Sequence, residues 1–348
     1  MNPYILSTLL FGLGLGTTIT FASSHWLLAW MGLEMNTLAI LPLMAQYHHP
    51  RAVEATTKYF LTQATAAAML LFASITNAWL SGQWDIQQMT HPLPTTLITL
   101  ALALKIGLAP LHAWLPEVLQ GLDLTTGLIL STWQKLAPFI LLLQINSVNP
   151  TILIILGLIS TLVGGWGGLN QTQLRKILAY SSIAHLGWMI LVMQFSPSLA
   201  LLALLTYFIM TFSTFLVFKL NNSTTLNTLA ISSTKMPVLT SLTPLILLSL
   251  GGLPPLTGFM PKWMILQELT KQGLPLIATI AALSALLSLY FYLRLSYAMT
   301  LTISPNNLTG TIPWRLPSNQ PTAPLALSIS TTLCLLPLTP AILTLLTF

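Results

Sequence analysis

The sequence predicts an all-α polytopic membrane protein, and its composition and two repeated helix breaks carry that prediction. Of the 348 residues, 54% are hydrophobic and only 5% are charged, whereas a soluble chain carries about a quarter charged residues. The mean hydropathy is +0.80. Lipid is therefore the expected solvent, and each apolar run of roughly 20 residues is a candidate spanning helix. We expect one membrane domain over residues 1–348.

Polar, glycine and proline clusters divide the apolar sequence into about eleven runs, each expected to be one spanning segment. The runs lie near residues 3–22, 24–45, 57–80, 95–120, 124–146, 150–169, 174–194, 198–219, 239–269, 274–299 and 323–347. The fourth and ninth runs are longer than a bilayer requires, and glycine and proline interrupt both. These two runs are therefore predicted to be broken helices.

The two interruptions have nearly the same sequence. Gly107-Leu-Ala-Pro110-Leu-His-Ala-Trp-Leu-Pro aligns with Gly252-Leu-Pro254-Pro255-Leu-Thr-Gly-Phe-Met-Pro. Paired broken helices in two halves of a chain are the best sequence indication of an ion or substrate path through a transporter. Because the copies lie five spans apart, an odd number, they are expected to cross the membrane in opposite directions. The sequence thus predicts an inverted repeat of two five-helix units, 3–146 and 149–299, with an extra C-terminal helix at 323–347.

Charge in the connecting segments predicts the orientation. Basic residues cluster after even-numbered spans, at Arg51, Lys58, Arg175, Lys176, Lys219, Lys235, Arg294 and Arg315. Segments after odd-numbered spans carry only Lys271, against Asp85. By the positive-inside rule, the even-numbered segments and the N-terminus face the cytoplasm-like side and the C-terminus faces the opposite side. The formal charge of +6 reflects this topology, because no basic run indicates nucleic-acid binding.

Four ionisable residues lie well inside predicted spans, namely Glu34, Lys105, Lys135 and Lys262. A charge near the bilayer centre costs at least ~2.5–3.5 kcal/mol, so it usually faces a partner or a wet cavity. Glu34 is the natural counter-charge for one of the lysines. Desolvation disfavours a charged amine and a nearby carboxylate favours it, so a Glu–Lys pair whose spacing changes can act as a proton switch. Four such residues favour a pathway over purely structural ion pairs.

Three further side chains are weaker candidates. His112 lies inside the first break and His185 lies in the middle of the seventh span. Each could relay protons at neutral pH, and a packed, hydrogen-bonded neutral histidine explains each equally well. Lys58 lies near a span end, where snorkelling is the commoner explanation, although Glu34 is on the neighbouring helix.

The broken helices should also expose backbone acceptors. Pro110 and Pro255 have no N–H, which leaves the carbonyls of Ile106 and Gly251 without their helical donors. Free carbonyls at the end of a half-helix favour cations and hold water.

The sequence offers no site for a redox cofactor or a metal. Cys334 is the only cysteine, which excludes internal disulfides, cysteine-based zinc sites and iron–sulfur clusters ligated by this chain alone. The glycine-rich stretches have no strand leading into them, so they do not indicate nucleotide binding.

Taken together, the motifs resemble the antiporter-like proton-translocating subunits of respiratory complex I, over essentially the whole chain. The matching stretches are Trp30-Met-Gly-Leu-Glu34, Lys58-Tyr-Phe60, Lys105 with the first break, Trp133-Gln-Lys135, Tyr180-Ser-Ser-Ile-Ala-His185 and the second break through Lys262. The length, the Thr/Leu/Pro-rich composition and the opening Met-Asn-Pro resemble a vertebrate mitochondrial member that lacks the first three of the family's fourteen helices.

The resemblance implies a role for each candidate residue. Glu34 would be the modulating acid, paired with Lys58 on the next helix. Lys105 would be the central proton-carrying lysine, Lys135 a connector, and Lys262 the lysine that hands protons toward the exit. His112 and His185 would lie along the same hydrated axis.

The implied function is that of a core membrane-arm subunit of the proton-translocating NADH:ubiquinone reductase. NADH, FMN, iron–sulfur clusters and ubiquinone would be bound by partner subunits, and this chain would bind no cofactor and no metal. The expected location is the mitochondrial inner membrane, with the N-terminus on the matrix side and the C-terminus in the intermembrane space. Expected contacts are other membrane-arm subunits and lipids, cardiolipin among them. A free-standing cation/proton antiporter and a purely structural membrane scaffold are the alternatives.

Overall fold

The computed structural model describes residues 2–46, 49–89, 91–145, 150–232, 236–301 and 322–347. Within these ranges the regular structure is helical, apart from two isolated β-bridges. Two compact units are present, Met1–Ile159 and Ser160–Phe348. Lys235 and Arg315, which contribute to the predicted charge asymmetry, lie outside the described residues.

The long helices follow the predicted runs, except that the third begins at Pro50 instead of near residue 57, and a short helix lies between the eighth and ninth runs. In chain order they are α1 (Pro3–Ala22), α2 (Trp26–Met44), α3 (Pro50–Ser81), α4 (Pro92–Ile106), α5 (Trp114–Gly121), α6 (Leu124–Ser131), α7 (Trp133–Gln144), α8 (Pro150–Gly168), α9 (Leu174–Met193), α10 (Pro197–Leu220), α11 (Leu226–Ile231), α12 (Pro237–Gly251), α13 (Phe259–Lys271), α14 (Pro275–Leu301), α15 (Ala323–Cys334) and α16 (Thr339–Leu346). Seven of these helices begin with proline, whose fixed φ and missing N–H suit the first helical position.

The prediction of an all-helical, multi-pass membrane fold is confirmed. Among the described residues, eight helices are long and apolar enough to cross a bilayer, counting α6 and α7 together, and the bent pair of α15 and α16 brings the number to nine. The fourth and ninth runs each contain two shorter helices around a break, α4 with α5 and α12 with α13. The bounds 3–146, 149–299 and 323–347 of the repeats, and their opposite orientations, remain predictions.

Two predicted spans are less regular than expected. The C-terminal run bends by 67° between α15 and α16, where Pro337 and Pro340 supply no backbone donor. The fifth run is interrupted at Thr132, whose φ of −112° and ψ of −70° separate α6 from α7. Hydropathy alone did not reveal either irregularity, because each segment is apolar enough on average to be read as one span.

In the first unit, α1 and α2 pack at close range through glycine. A Cβ added to Gly16 would lie 2.8 Å from the Gly32 carbonyl oxygen, and a Cβ on Gly32 would lie 2.8 Å from that of Gly16. Small residues of this kind allow helix backbones to approach closely in membranes. Helix α3 contacts α2, α4 and α5, and α7 contacts α1, α2 and α4. The polar side chains of α2, α3, α4 and α7 therefore meet inside one core.

In the second unit, α9 is the most enclosed of the long apolar helices, with 89% of its apolar window buried. It contacts α10, α13 and α14. Helix α10 in turn contacts α12, α13, α15 and α16. The second break, between α12 and α13, thus belongs to a core that also includes the C-terminal helix pair.

Candidate functional site

The two breaks have the same backbone geometry. Helix α4 ends at Gly107, with φ +86° and ψ 43°, and α12 ends at Gly252, with φ +83° and ψ 45°. The Gly107 amide donates to the Ala103 carbonyl at 2.9 Å, and the Gly252 amide donates to the Leu248 carbonyl at 3.1 Å. Glycine in the left-handed region is the usual way to end a helix in this manner. Both helix breaks predicted from the repeated sequence are therefore present.

Different side chains donate hydrogen bonds to the carbonyls at the ends of α4 and α12. In the first, the Trp114 indole Nε1 donates to the Leu104 carbonyl at 3.1 Å. The aligned residue in the second break is Phe259, which has no N–H. There Lys262 Nζ donates to the Gly251 carbonyl at 2.8 Å. This is one of the carbonyls that the prolines were expected to leave open, and a cation near a helix C-terminus is favourable.

Glu34 and Lys105 form the buried ion pair of the first unit. The Lys105 Nζ lies 3.9 Å from Glu34 Oε1, with side-chain exposures of 3% and 24%. The Thr37 hydroxyl donates to the other carboxylate oxygen of Glu34 at 3.3 Å. The expectation that Glu34 is the counter-charge of a membrane lysine is confirmed, and that lysine is Lys105.

Lys58 has different partners from the one that the resemblance implied. Its Nζ lies 2.8 Å from Glu54 Oε1 and 2.9 Å from Glu117 Oε2, and 42% of its side chain is exposed. The expected pairing of Lys58 with Glu34 is absent among the described ion pairs. The reason is the close packing of α5 on α3, where a Cβ on Gly121 would lie 2.7 Å from the Ala55 Cβ. This contact brings the first turn of α5 to Lys58.

Lys105 and Lys135 line one small cavity in the first unit. The cavity has a volume of about 20 Å³, enough for about one water molecule. Lys135 is 2% exposed. The polar side chains that line the cavity beside the two lysines are Asn36, Thr37, Tyr59, Gln63 and Gln134. Two lysines from different helices, α4 and α7, therefore line one small cavity whose wall is partly polar.

The same cavity contains polar groups that have no protein hydrogen-bond partner. Among the described residues, Lys105 Nζ and both polar atoms of the Asn36 amide are buried without one. Gln134 is engaged, because its Nε2 donates to the Asn36 carbonyl at 3.2 Å. Buried polar groups of this kind are normally satisfied by ordered water.

Comparison with known proteins decides the family. A family model described as NADH:quinone oxidoreductase/Mrp antiporter, TM, matches residues 23–288. The chain belongs to this antiporter-like family. A second model, described as NADH dehydrogenase subunit 2 C-terminus, matches residues 289–343.

Relatives with high identity to this member of the family span its full length. The proteins named NADH-ubiquinone oxidoreductase chain 2 from Tetraodon nigroviridis and Gadus morhua are 77% and 74% identical, and each comparison covers 99% of both chains. A chain of respiratory complex I from Thermus thermophilus matches with a TM-score of 0.87 and 29% identity, over 99% of this chain and 80% of that chain. A chain of the Mrp complex from Dietzia sp. shares the fold, with a TM-score of 0.84 at 18% identity.

The family and these relatives make the chain an antiporter-like membrane-arm subunit of complex I, the NADH:ubiquinone oxidoreductase. The resemblance found in the sequence is confirmed, and the names of the relatives and of the C-terminal family model identify the second chain of the complex. A free-standing antiporter and a structural scaffold are not favoured. The vertebrate relatives imply a mitochondrial origin.

The two histidines lie in different units, His112 in the first and His185 in the second. His112 is partly exposed in the first break, with its ring Nδ1 3.3 Å from the Pro110 carbonyl oxygen. His185 is buried in α9 of the second unit, and its ring centroid lies 5.5 Å from that of Tyr207. Their role as relays remains a prediction.

The polar lining of the cavity was missed by sequence reasoning. Asn36 and Gln134 lie within two residues of Glu34 and Lys135, and Gln63 lies five residues after Lys58. An amide side chain inside an apolar run is the signal that could have identified all three, because such groups rarely face lipid. Glu54 and Glu117, the partners of Lys58, lie at helix ends and gave no such signal.

Proposed function

We propose that this subunit conducts protons across the mitochondrial inner membrane along a path that includes Glu34, Lys105 and Lys135. The observation that supports the proposal is the shared cavity, which is lined by two lysines from different helices, Lys105 and Lys135. Glu34 Oε1 lies 3.9 Å from Lys105 Nζ. A charged group inside the membrane usually marks such a pathway. The confirmed membership of complex I supplies the energy source, which is electron transfer from NADH to ubiquinone in partner subunits.

The attraction between Glu34 and Lys105 is strong enough to drive a proton switch. Moving one proton against 100 mV requires about 2.3 kcal/mol. Two unit charges 4 Å apart attract by about 4 kcal/mol at an effective dielectric constant of about 20. Separating Glu34 from Lys105 therefore changes the free energy of the charged lysine by more than the energy required to move one proton against 100 mV. The coupling event in this proposal is a change in that distance.

Each remaining candidate has a place on the proposed path. Lys135 exchanges protons with Lys105 through water in the shared cavity, since the cavity accommodates about one molecule. Lys262 passes protons toward the exit, with His112 and His185 as relays, as the family resemblance implies. Lys58 lies at the edge of the path, where its ammonium group pairs with the carboxylates of Glu54 and Glu117.

Sidedness, contacts and cofactors complete the proposal. We place the N-terminus on the matrix side and the C-terminus in the intermembrane space, on the basis of the charge asymmetry of the connecting segments. Other complex I subunits are the protein partners, and anionic lipids such as cardiolipin bind the basic matrix-side segments. NADH, FMN, iron–sulfur clusters and ubiquinone are bound by those partner subunits, as the family resemblance implies. For the clusters this chain itself gives a reason, because it offers only Cys334 as a thiolate ligand.

Glu34→Gln tests the proposed switch. Glutamine keeps the size of the side chain and can still accept from Thr37, but it removes the charge beside Lys105. We expect fewer protons to be pumped per NADH oxidised, measured in vesicles that contain the complete complex, with assembly checked by native electrophoresis and an in-gel NADH-oxidation stain.

Glu268→Gln is the matched control for this prediction. Glu268 is 20% exposed and lies 3.8 Å from Lys271, a geometry close to that of the Glu34–Lys105 pair, but its lysine is 61% exposed. Pumping should be unchanged in this variant. Equal pumping in both variants would remove Glu34 from the path.

A further inference from the structure

A hydrogen bond connects the second break to the C-terminal helix pair. The Thr257 hydroxyl, inside the break, donates to the Thr332 carbonyl of α15 at 2.6 Å. Both residues are buried, with exposures of 2% and 0%. The bond joins positions 75 residues apart and lies within the second unit.

The Thr332 carbonyl is available because it lies in the last turn of α15, which ends at Cys334. Carbonyls in the last turn of a helix have no intrahelical donor and need a partner from elsewhere. The bend after α15 prevents the following segment from continuing the helix. Thr257 therefore satisfies a backbone acceptor that the bend in the C-terminal span creates.

The segment between α12 and α13 is anchored at its other end as well. Lys262 Nζ donates to the Gly251 carbonyl, and a Cβ added to Gly252 would lie 3.0 Å from that same Nζ. Residues 252–258 are thus held between the ammonium group of Lys262 and the hydroxyl of Thr257. The position of these residues relative to α12 determines whether the Lys262 ammonium group can reach the Gly251 carbonyl.

The first break has a different residue at the corresponding position. The residue aligned with Thr257 is His112, whose ring lies 3.3 Å from the Pro110 carbonyl of its own break. The two copies share the glycine helix end but differ at this position. The difference coincides with the presence of α15 and α16, which the predicted repeat leaves without a counterpart among the first five spans.

We propose that the C-terminal pair of α15 and α16 is a positioning element for Lys262 and acts through the Thr257–Thr332 hydrogen bond. The bond holds residues 252–258 so that the ammonium group of Lys262 stays on the Gly251 carbonyl. Thr257 is a positioning residue, because it acts through the hydrogen bond that its hydroxyl donates to the Thr332 carbonyl. The inference rests on the proposed function for the part that Lys262 plays in pumping.

Thr257→Val in the complete complex tests this inference. Valine keeps the shape of threonine and removes the donor. We expect amide hydrogen exchange in residues 252–258 to be about fivefold faster or more, the change that loss of one hydrogen bond causes in a local opening equilibrium. We also expect fewer protons pumped per NADH. Thr257→Ala, which lacks the hydroxyl and is smaller, is used if the valine variant does not assemble.

The chain offers two matched controls. Thr332→Val keeps the accepting carbonyl and removes a hydroxyl that donates within its own helix, to the Ile329 carbonyl at 2.8 Å. Thr257→Ser keeps the donor. Both should retain the exchange rates and the pumping of the unsubstituted complex.

Lys262→Met, measured in parallel, separates this inference from the proposed function. Reduced pumping in Lys262→Met, together with a Thr257→Val variant that matches Thr332→Val in exchange or in pumping, would overturn the inference and leave the proposed function standing. Normal pumping in Lys262→Met would instead remove Lys262 from the proposed path, and the inference would fall with it. Faster exchange and reduced pumping in Thr257→Val alone support it.

Discussion

Lys105→Met is expected to stop proton movement through this subunit while the complex still assembles. A positioned side chain that transfers a proton accelerates the step by about 10²–10⁴-fold, so its removal reduces the flux through this path by a similar factor. Methionine has nearly the same length as lysine and suits a side chain that is 3% exposed. Glu34 retains the hydrogen bond from Thr37 and is 24% exposed, so it tolerates the loss of its partner.

The measurement is the number of protons pumped per NADH oxidised in vesicles containing the purified complex. Lys271→Met is the control, because Lys271 is 61% exposed and also lies beside a glutamate. The account expects a reduced ratio only for Lys105→Met. An unchanged ratio for Lys105→Met, in a complex shown to contain the substituted chain, would rule out Lys105 as a carrier.

Gly258→Ala is expected to have the largest effect on stability. A Cβ at this position would overlap the Ser249 carbonyl and lie 3.1 Å from the Met210 Sδ. The backbone of the break must then move away from α12, and overpacking of a well-packed core typically costs about 1–3 kcal/mol. Because the break carries both the Thr257 and the Lys262 contacts, we expect less assembled complex and a lower temperature for loss of NADH oxidation.

Gly14→Ala is the control for this prediction. Gly14 lies within α1, and a Cβ there would meet nothing within 4 Å. Alanine is also the better helix former by about 1 kcal/mol. If both variants assembled equally well and lost activity at the same temperature, the close approach at Gly258 would not constrain the break.

Much of the fold could be predicted because lipid imposes simple rules on sequence. A backbone inside a bilayer must satisfy its own hydrogen bonds, so apolar runs become helices, and their lengths follow from membrane thickness. Gly107 and Gly252 could be identified because glycine alone adopts the left-handed conformation without penalty. The same local sequence therefore produced the same helix end twice.

The partners of the charged residues could not be predicted in the same way. Which lysine meets Glu34 depends on the packing of α2 against α3 and α4, and Lys58 and Lys105 were both compatible with the sequence. In the structure, Lys105 pairs with Glu34, and Lys58 pairs with Glu54 and Glu117. Family resemblance indicated the pairing of Lys58 with Glu34, and the close approach of α5 to α3 accounts for the difference.

The C-terminal segment shows a second kind of limit. Its apolar composition predicts a span, but the bend near Pro337 and the resulting free carbonyl of Thr332 depend on local backbone geometry. The contact of that carbonyl with Thr257 joins distant parts of the sequence. A threonine in an apolar helix break gives no sequence signal of such a contact, because threonine usually bonds to its own helix.

The central claim is that Lys105 and Lys135 act in one path through their shared cavity, and a double substitution tests it most directly. Protons pumped per NADH are measured for Lys105→Met, Lys135→Met and the double variant in the complete complex. Residues that act in series are non-additive, so the account predicts that each single variant is impaired and that the double variant is no worse than the more impaired single variant. Losses that add in the double variant, or normal pumping in Lys135→Met, would contradict a single path through these two lysines.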